Sequence, residues 1–338
     1  MKERDIRVCP STLAEGYTTY SKLALRNLFD SKVVSHHLDF TWEDDTDEGI
    51  LAENSRNLSI SGVQEKLSAL VSDGELRLIN AGERGTHILK PSPREHFQYR
   101  KQIPANEHLT MQIASQVYGI NTAANGLALS KDGQFVYVTK RFDVLPNGEK
   151  LQQEDFCSLV GRTEEINGID FKYEGSYEDI AICIRKYIPA WPVAMEQFFR
   201  LVVFNYIYGN GDAHLKNFSV LFRNGEYMMA PAYDLINTRV HIDGPDFALN
   251  EGLSSRLEMS ETYEQTLHPC RADFLAFARL IGMNERRANK ILDQFDTVPD
   301  SVDILINRSF LFDDKTKRLY RRIVAERMSW FLRTDKKE

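Results

Sequence analysis

The sequence contains no long hydrophobic run and no closely spaced cysteines. Its longest apolar stretch, residues 198–208, is interrupted by Arg200 and Asn205, whereas a membrane-spanning helix needs roughly 18 apolar residues in succession. The amino-terminal residues lack the apolar core of a secretion signal. The four cysteines are scattered, without the Cys-x-x-Cys spacing of a zinc site. These absences predict a cytoplasmic protein that makes no membrane contact and has neither a disulfide framework nor a structural zinc ion.

An excess of positive charge is absent as well. The 338 residues carry a net charge of −7, so the chain as a whole lacks the basic surface typical of nucleic-acid-binding proteins. What the sequence does contain is an ordinary globular composition, with 42% hydrophobic and 27% charged residues. That is enough apolar surface to form a core. The length predicts two domains, or one domain with two lobes.

Residues 57–143 show the pattern of an antiparallel sheet with one helix. Asp73-Gly74 and Asp132-Gly133 each separate two strand-like runs, and Asp-Gly is typical of a tight β-hairpin turn. The helix is indicated by apolar residues that recur every four positions and by a glycine at its predicted end. The predicted elements are, in chain order, a hairpin over 64–80, a strand over 86–90, a helix over 106–118 and a hairpin over 126–141.

Residues 144–338 are mostly helical in pattern. Residues 191–209 form the strongest predicted helix, and because they are apolar on nearly every face, we expect this helix at the centre of its lobe. A hairpin is predicted over 218–232, and further amphipathic helices are predicted over 265–332. The fold class is therefore α+β, with two lobes. The predicted organisation is an amino-terminal extension over 1–56, a sheet-rich N-lobe over 57–143 and a helical C-lobe over 144–338.

The loop between the central helix and the C-lobe hairpin carries groups that suit phosphoryl transfer. Asp212 is followed five residues later by Asn217, and the hairpin returns the chain so that Asp234 is expected beside Asn217. Protein kinases have an aspartate and an asparagine at this spacing, and a third acid on the following segment. One carboxylate would accept a hydrogen bond from the substrate hydroxyl. The amide oxygen and the second carboxylate would hold Mg²⁺, which prefers oxygen ligands.

The N-lobe offers the complementary residues. Lys90 ends a predicted strand and Glu107 opens the predicted helix, so that an ion pair between them would direct the lysine toward the phosphates of ATP. A hinge for the nucleotide is predicted at 140–143, where the lobes join. The glycine-rich loop of protein kinases is missing, because residues 59–66 contain the single glycine Gly62. The Asp-x₄-Asn spacing alone occurs by chance, and only the ordered set of these features indicates a kinase.

With these motifs in this order, the sequence resembles the HipA family of bacterial toxin kinases, most of all its short HipT-type members. The matching stretches are SISGVQEKLSAL (59–70), THILKP (86–91), NEHLTMQIA (106–114), VTKRFD (138–143), QEDFCSLVG (153–161), GNGDAHLKNFSVLF (209–222) and APAYDLI (230–236). The resemblance implies a bilobal, protein-kinase-like fold. It also implies an ATP- and Mg²⁺-dependent serine/threonine kinase.

The resemblance assigns roles to individual positions. It implies that Asp212 is the catalytic residue, that Asn217 and Asp234 are the Mg²⁺ ligands, and that Lys90, paired with Glu107, binds the ATP phosphates. Adenine would bind through the backbone of the hinge. Further cofactor contacts are implied for Ser61, Gly62, Val63, Lys66, Lys140, Phe142, His214 and Lys216.

Regulation and partners are implied as well. Ser59 and Ser61 match the loop serines at which HipA- and HipT-type kinases phosphorylate themselves. The kinase would be the toxin of a type II toxin–antitoxin system. Its partners would be a helix-turn-helix HipB-like antitoxin and, in three-component systems, a small HipS-like protein. It would reach operator DNA only through the antitoxin. Its protein substrate would be a translation component such as an aminoacyl-tRNA synthetase, and growth arrest would follow. Only 58 residues precede Ser59, which resembles the truncated start of HipT-like proteins.

Other functions fit parts of the pattern. A kinase-fold corepressor that acts with an antitoxin on operator DNA would keep the fold without the catalysis, and it would show no Mg·ATP-dependent rise in melting temperature. A kinase for a small molecule would share the same site but would need no folded protein acceptor. Taken singly, Asp212 and Asn217 also suit an ordinary turn. His214 is more often a residue that fixes a loop by hydrogen bonding than a general base.

Overall fold

An antiparallel sheet of five described strands forms the N-lobe. The computed structural model of the protein describes residues 6–41, 65–93, 97–311 and 313–334. The strands are β1 Leu67–Ser72, β2 Glu75–Leu78, β3 His87–Lys90, β4 Asn125–Leu129 and β5 Phe135–Lys140. They lie in the order β2-β1-β3-β5-β4. Both hairpins predicted from the sequence, β1–β2 and β4–β5, are present.

The first hairpin turns at Asp73 and Gly74, whose φ angles are 52° and 82°. Two successive residues with positive φ match the right-handed twist of the strands that a two-residue turn connects. Ser72 pairs with Glu75 and closes the hairpin. The turn predicted from the Asp-Gly dipeptide is therefore confirmed.

The two faces of this sheet are covered by different parts of the chain. Helix α2 (Ile103–Gln116) packs on one face and shares a core cluster with Leu127 and Tyr137 of the sheet. The amino-terminal segment, with helix α1 (Lys22–Phe29), covers the other face. Helix α2 begins three residues before the predicted start, with Pro104 in its first turn, where a proline costs no hydrogen bond.

The sequence patterns assign no element within residues 1–56, yet helix α1 forms there. Its amino terminus is capped by Ser21, whose Oγ accepts a hydrogen bond from the Ala24 amide at 3.2 Å. Leu28 is fully buried among residues of the sheet. A Cβ on Gly126 of β4 would lie 3.1 Å from Leu28 Cδ2, so a glycine at this position lets the helix approach the strand closely. The extension therefore forms part of the N-lobe core.

The C-lobe is built around one buried helix, as the sequence predicts. The helices are α3 Phe156–Val160, α4 Glu164–Asn167, α5 Tyr177–Tyr187, α6 Trp191–Ile207, α7 Glu261–Thr266, α8 Arg271–Leu280, α9 Glu285–Leu292, α10 Asp300–Arg308 and α11 Asp314–Phe331. Short 3₁₀ turns lie at Arg100–Gln102, Phe171–Tyr173, Leu215–Asn217, Thr238–Val240 and Asp293–Phe295. Phe198, Val203 and Ile207 of α6 have no exposed surface. Within the described ranges, no helix has both the length and the apolar character needed to cross a bilayer.

A second, three-stranded sheet lies in the C-lobe. It consists of β6 (Gln152–Asp155), β7 (Ser219–Arg223) and β8 (Glu226–Met229), antiparallel in that order. The β7–β8 hairpin is predicted from the sequence, but β6 is not. Its four side chains are polar and partly or largely exposed, so they show no alternation of apolar and polar residues that would indicate a strand.

Backbone hydrogen bonds join the two lobes next to the second sheet. The Ala123 amide donates to Ala232 O at 2.9 Å, and the Ala232 amide donates to Asn121 O at 2.8 Å. This short parallel bridge holds the segment that follows β8 against the N-lobe. It thereby fixes the approach of Asp234 to the end of β3.

Candidate active site

Lys90 is a buried cation held between two carboxylates. Its Nζ lies 2.5 Å from Glu107 Oε1 and 2.5 Å from Asp234 Oδ1. The side chains of Lys90 and Glu107 are only 3% and 2% exposed. Burial disfavours the ammonium charge, but the two carboxylates outweigh it and raise the pKa of Lys90 above its ordinary value. The predicted ion pair of a strand lysine and a helix glutamate is therefore present, and Asp234 completes it.

Asp234, in the C-lobe, forms ion pairs with two lysines of the N-lobe. Besides Lys90, Lys66 contacts it, with 3.1 Å between Nζ and Asp234 Oδ2. Burial acts to raise the pKa of this carboxyl, but the two lysines prevail and hold it well below the usual range. Asp234 has a φ of 57°, a left-handed conformation that only asparagine, aspartate and glycine adopt readily. Asn210 Nδ2 donates to the Asp234 carbonyl at 3.5 Å.

Asp212 lies on a closely packed loop after helix α6. One of its oxygens, Oδ1, accepts a hydrogen bond from the Tyr173 hydroxyl at 2.8 Å. Burial raises the pKa of Asp212, and the hydrogen bond from Tyr173 acts against this rise. The loop is fixed by its neighbour Gly211, whose amide donates to Thr238 Oγ1 at 3.0 Å. A Cβ at Gly211 would lie 2.8 Å from Pro245 O, so the backbone runs where a side chain could not fit.

Asn217 connects this loop to Asp234. Its Oδ1 accepts from the His214 amide at 3.1 Å, and its Nδ2 donates to Asp234 Oδ2 at 3.5 Å. The predicted pair of amide and carboxylate is therefore adjacent. Among the residues that the structure describes, no three acids, histidines or cysteines cluster as a metal site would require. Any divalent cation held here would therefore rely on these two side chains together with oxygens of a ligand.

His214 and Lys216 support the loop from behind. Burial lowers the pKa of His214 to about 3, so the imidazole is neutral at pH 7, and its ring packs edge-on against Tyr173 at 5.1 Å. The Lys216 ammonium lies 4.8 Å from the centre of the Phe171 ring, and its carbonyl accepts from Tyr233 OH at 2.8 Å. Neither side chain is among the described residues that line the cleft between the lobes, so their predicted cofactor contacts stay predictions.

The cleft itself has a volume of about 440 Å³ and opens between β3, β5 and the segment around Asp234. Five of the residues that the sequence predicts as cofactor contacts line this cleft: Lys66, Lys90, Lys140, Phe142 and Asp234. The Lys140 side chain points to Asp30, with 2.5 Å between Nζ and Oδ1, and its amide donates to Ala124 O. The Phe142 ring lies 5.5 Å from the Tyr233 ring. A flat ligand would meet the apolar surface of Phe142 at one end of the cleft and the ammonium groups of Lys66 and Lys90 at the other end.

Four of the predicted residues, Ser59, Ser61, Gly62 and Val63, lie outside the described residues. Conversely, no sequence pattern points to Tyr173, whose hydroxyl contacts Asp212. Tyr173 precedes Asp212 by 39 residues and lies in no recognisable motif, so only the folded chain brings the two together.

Comparison with known proteins identifies related chains. The family model of the HipA-like C-terminal domain matches residues 58–302. A putative kinase of Haemophilus influenzae is 27% identical over 314 residues, which cover 88% of each chain. The serine/threonine-protein kinase toxin HipA of Shewanella oneidensis is 27% identical over 206 residues, which cover 55% of this chain and 44% of that protein.

A solved structure shares the fold. The chain of Shewanella oneidensis HipA, determined in complex with HipB and its operator DNA, is similar with a TM-score of 0.64 and 20% identity. The match covers 81% of this chain and 65% of that one. The chain thus spans less than two thirds of the length of Shewanella oneidensis HipA, both by sequence and by structure. The likeness confirms the predicted bilobal α+β fold of the protein-kinase type.

Proposed function

The chain belongs to the HipA-like C-terminal domain family, and from this premise we propose that it is an ATP- and Mg²⁺-dependent serine/threonine protein kinase. The relatives named as kinases support this proposal. The observation that carries it is the meeting of Lys90, Glu107 and Asp234, with Asn217 beside them and Asp212 on the same loop. Lys90 and Asp234 come from different lobes and line the cleft, and Glu107 and Asn217 contact them.

The cleft has the chemistry that a nucleotide needs. Lys66 and Lys90 place two ammonium groups at its inner end, where phosphates would bind, and Phe142 offers an apolar surface toward the hinge. The donor types also suit Mg²⁺, because Asp234 carries two carboxylate oxygens and the adjacent Asn217 carries an amide oxygen, Oδ1, which accepts from the His214 amide in this structure. When bound, Mg²⁺ would neutralise charge on the phosphate oxygens.

The residues of the chain would act mainly by positioning. Lys90, held by Glu107, would bind phosphate oxygens in place of its contact with Asp234. Asp212 Oδ1 already accepts from Tyr173, so Oδ2 would accept the hydrogen bond of the substrate hydroxyl. Phosphoryl transfer needs little covalent participation from a protein, and most of the acceleration would come from orientation and electrostatics.

We further propose that the kinase is the toxin of a type II toxin–antitoxin system in the cytoplasm. The relative named a HipA toxin, and the structure of HipA with HipB and operator DNA, support a helix-turn-helix antitoxin as its partner. The resemblance to HipT-type members supports a small HipS-like protein as an additional partner. It also supports self-phosphorylation at Ser59 or Ser61, and a translation component such as an aminoacyl-tRNA synthetase as the target.

Nucleotide binding by the purified chain tests the kinase function. Calorimetric titration with Mg·ATP should detect binding, and Mg·ATP at 100 times its Kd should stabilise the fold by about 2.7 kcal/mol. Lys90→Met should weaken binding by about 10-fold or more, because it removes a charge-assisted contact to phosphate. Lys131→Met is the matched control, since Lys131 is 56% exposed and pairs with Asp39. A wild-type chain that binds no Mg·ATP would contradict the proposal and favour a corepressor.

A further inference from the structure

The 3₁₀ turn Phe171–Tyr173 meets the catalytic loop at three points. Tyr173 donates to Asp212 Oδ1 at 2.8 Å, and its ring contacts His214 edge-on. The ammonium of Lys216 lies over the Phe171 ring at 4.8 Å. The turn is also bonded to a later part of the C-lobe, because the amide of Asn250 donates to the Tyr173 carbonyl at 3.0 Å. A turn with this many contacts to the loop holds its own side chains in fixed positions beside Asp212.

Among the residues that the structure describes, Lys172, the middle residue of this turn, is a buried lysine without a hydrogen-bond acceptor. Its side chain is only 7% exposed, and it forms no hydrogen bond or ion pair with the residues that the structure describes. Its Nζ lies 4.9 Å from the centre of the Tyr173 ring. Lysine is rarely buried without a partner, because its ammonium loses hydration. The position therefore suits an anion that the described part of the chain does not supply.

The electrostatic surroundings of Lys172 agree with a role near Asp212. Burial lowers the pKa of Lys172 to about 8, and Asp212 acts against this shift. The charged groups that face it are Asp212, Lys216, Lys66 and Asp170. Like the Lys90 end of the cleft, this side of the site therefore has a cation beside a carboxylate.

The other basic residues near Asp212 are either uncharged or already in contact with another group. His214 is neutral because burial lowers its pKa to about 3, and the Lys216 ammonium lies over the Phe171 ring. Lys90 is held at the N-lobe end by Glu107 and Asp234. Within the described part of the chain, Lys172 is thus the buried cation near Asp212 that has no carboxylate in hydrogen-bond contact.

We propose that Lys172 is a catalytic residue that contacts the phosphoryl group during its transfer, and that Tyr173 positions the Asp212 carboxylate beside it. The inference rests on the proposed kinase function. In the step, the acceptor oxygen forms a bond to the γ-phosphorus of ATP. The bond from that phosphorus to the bridging oxygen breaks, and its electron pair leaves with ADP. The hydroxyl proton passes to Asp212 Oδ2. Lys172 donates hydrogen bonds to the phosphoryl oxygens, over which negative charge is spread.

Two variants of Lys172 test the proposal in the full-length chain. Lys172→Met should slow phosphoryl transfer from radiolabelled ATP, to the chain itself and to a generic protein acceptor, by about 100-fold or more. The Kd for Mg·ADP should change by less than about threefold, because ADP lacks the transferred group. Lys172→Arg should restore at least part of the rate. Lys186→Met is the matched control, since Lys186 also lies over the ring of the next residue, Tyr187, at 4.7 Å, but is exposed in the last turn of α5.

The pH profile gives a readout that a structural role would not change. Wild-type transfer should fall above about pH 8, where Lys172 loses its proton, and Lys172→Arg should abolish that fall, because arginine stays charged. A Lys172→Met chain that melts like the wild type and transfers at a similar rate would overturn the inference alone. An Lys172→Arg profile identical to that of the wild type would do the same. A wild-type chain that neither binds Mg·ATP nor transfers phosphate would overturn the proposed function and this inference together.

Discussion

Lys90 and Asp234, which are 144 residues apart in the chain, meet across the cleft with 2.5 Å between Nζ and Oδ1. The same carboxylate also accepts from Lys66. The proposed metal ligand is therefore neutralised by two lysines, both of which line the cleft. Entry of Mg·ATP would exchange these contacts, so that the lysines turn to the phosphates and the carboxylate to the cation. This exchange would couple the two lobes to the nucleotide.

The first prediction concerns Asp234. Asp234→Asn should reduce Mg²⁺-dependent phosphoryl transfer by about 100-fold, since it removes the charged ligand while keeping the shape of the side chain. Asn tolerates the left-handed backbone at φ 57°, whereas Asp234→Ala should lose about 1 kcal/mol more of unfolding free energy for that reason. Transfer assays and urea denaturation of the two variants measure these effects. Equal stability of the Asn and Ala variants would contradict this prediction, because it would show that the left-handed backbone at residue 234 costs alanine no more than asparagine.

The second prediction concerns Glu107, the buried partner of Lys90. Glu107→Gln should lower the unfolding free energy by about 1–3 kcal/mol near neutral pH, because a charge-assisted hydrogen bond in the core is weakened. It should also weaken Mg·ATP binding, since Lys90 loses its orienting group. The exposed Glu164→Gln at the start of α4 serves as the control and should change neither quantity.

The pH dependence of stability should identify Glu107 further. Burial raises the pKa of Glu107 to about 6, with Lys90 acting against the rise. A carboxyl whose folded pKa is raised contributes stability below its unfolded pKa and loses it as pH rises through the folded value. As the pH rises from about 4.5 to about 6, the unfolding free energy of the wild type should therefore fall relative to that of Glu107→Gln. A difference that stays constant over this range would contradict the assignment.

The third prediction concerns Tyr173. Tyr173→Phe keeps the ring against His214 but removes the hydrogen bond that lowers the pKa of Asp212. The acid limb of the pH–rate profile should move to higher pH, and the rate at pH 7 should fall by roughly 10- to 100-fold as the carboxylate loses its fixed orientation. Tyr187→Phe alters the tyrosine that ends α5, for which no contact with Asp212 is described, and should leave the profile unchanged. A Tyr173→Phe profile that superimposes on that of the wild type would exclude a positioning role.

The fourth prediction concerns the backbone beneath the catalytic loop. Gly211→Ala should destabilise the fold by about 1–3 kcal/mol, because the new methyl group would press on Pro245 O. Since Asp212 is the next residue, transfer should also slow. Gly244→Ala is the matched control, as a Cβ there would meet no atom within 4 Å. Similar melting temperatures for the two variants would mean that the loop relaxes around the substitution.

Much of the fold could be predicted where a local pattern determines the structure. The Asp73-Gly74 hairpin follows from dipeptide chemistry, and helix α6 follows from its apolar residues on every face. Strand β6 could not be predicted, because its polar residues pair along one edge of a sheet that only the tertiary fold creates. Helix α1 was missed for a similar reason, since only a few of its residues, among them Leu28, are buried.

In the candidate site too, local patterns predict some of the residues, whereas others are brought together only by the folded chain. Asp212 and Asn217 lie on one short loop, so their spacing predicted their proximity, and Lys90 and Glu107 were placed by motif order. Tyr173 and Lys172 have no such spacing, because their contacts depend on how the turn packs on the loop. For Ser59 and Ser61, which lie outside the described residues, self-phosphorylation stays a prediction.

Intact-mass spectrometry tests the central claim most directly. The wild type, Asp212→Asn and the control Asp39→Asn, whose aspartate is 80% exposed in the N-lobe, are each incubated with Mg·ATP. We predict that the wild type and the control gain one or two phosphate groups, mapped to Ser59 or Ser61, and that Asp212→Asn gains none. A wild type that gains no phosphate, or an Asp212→Asn chain that gains as much as the wild type, would contradict the account of this protein as a self-phosphorylating kinase.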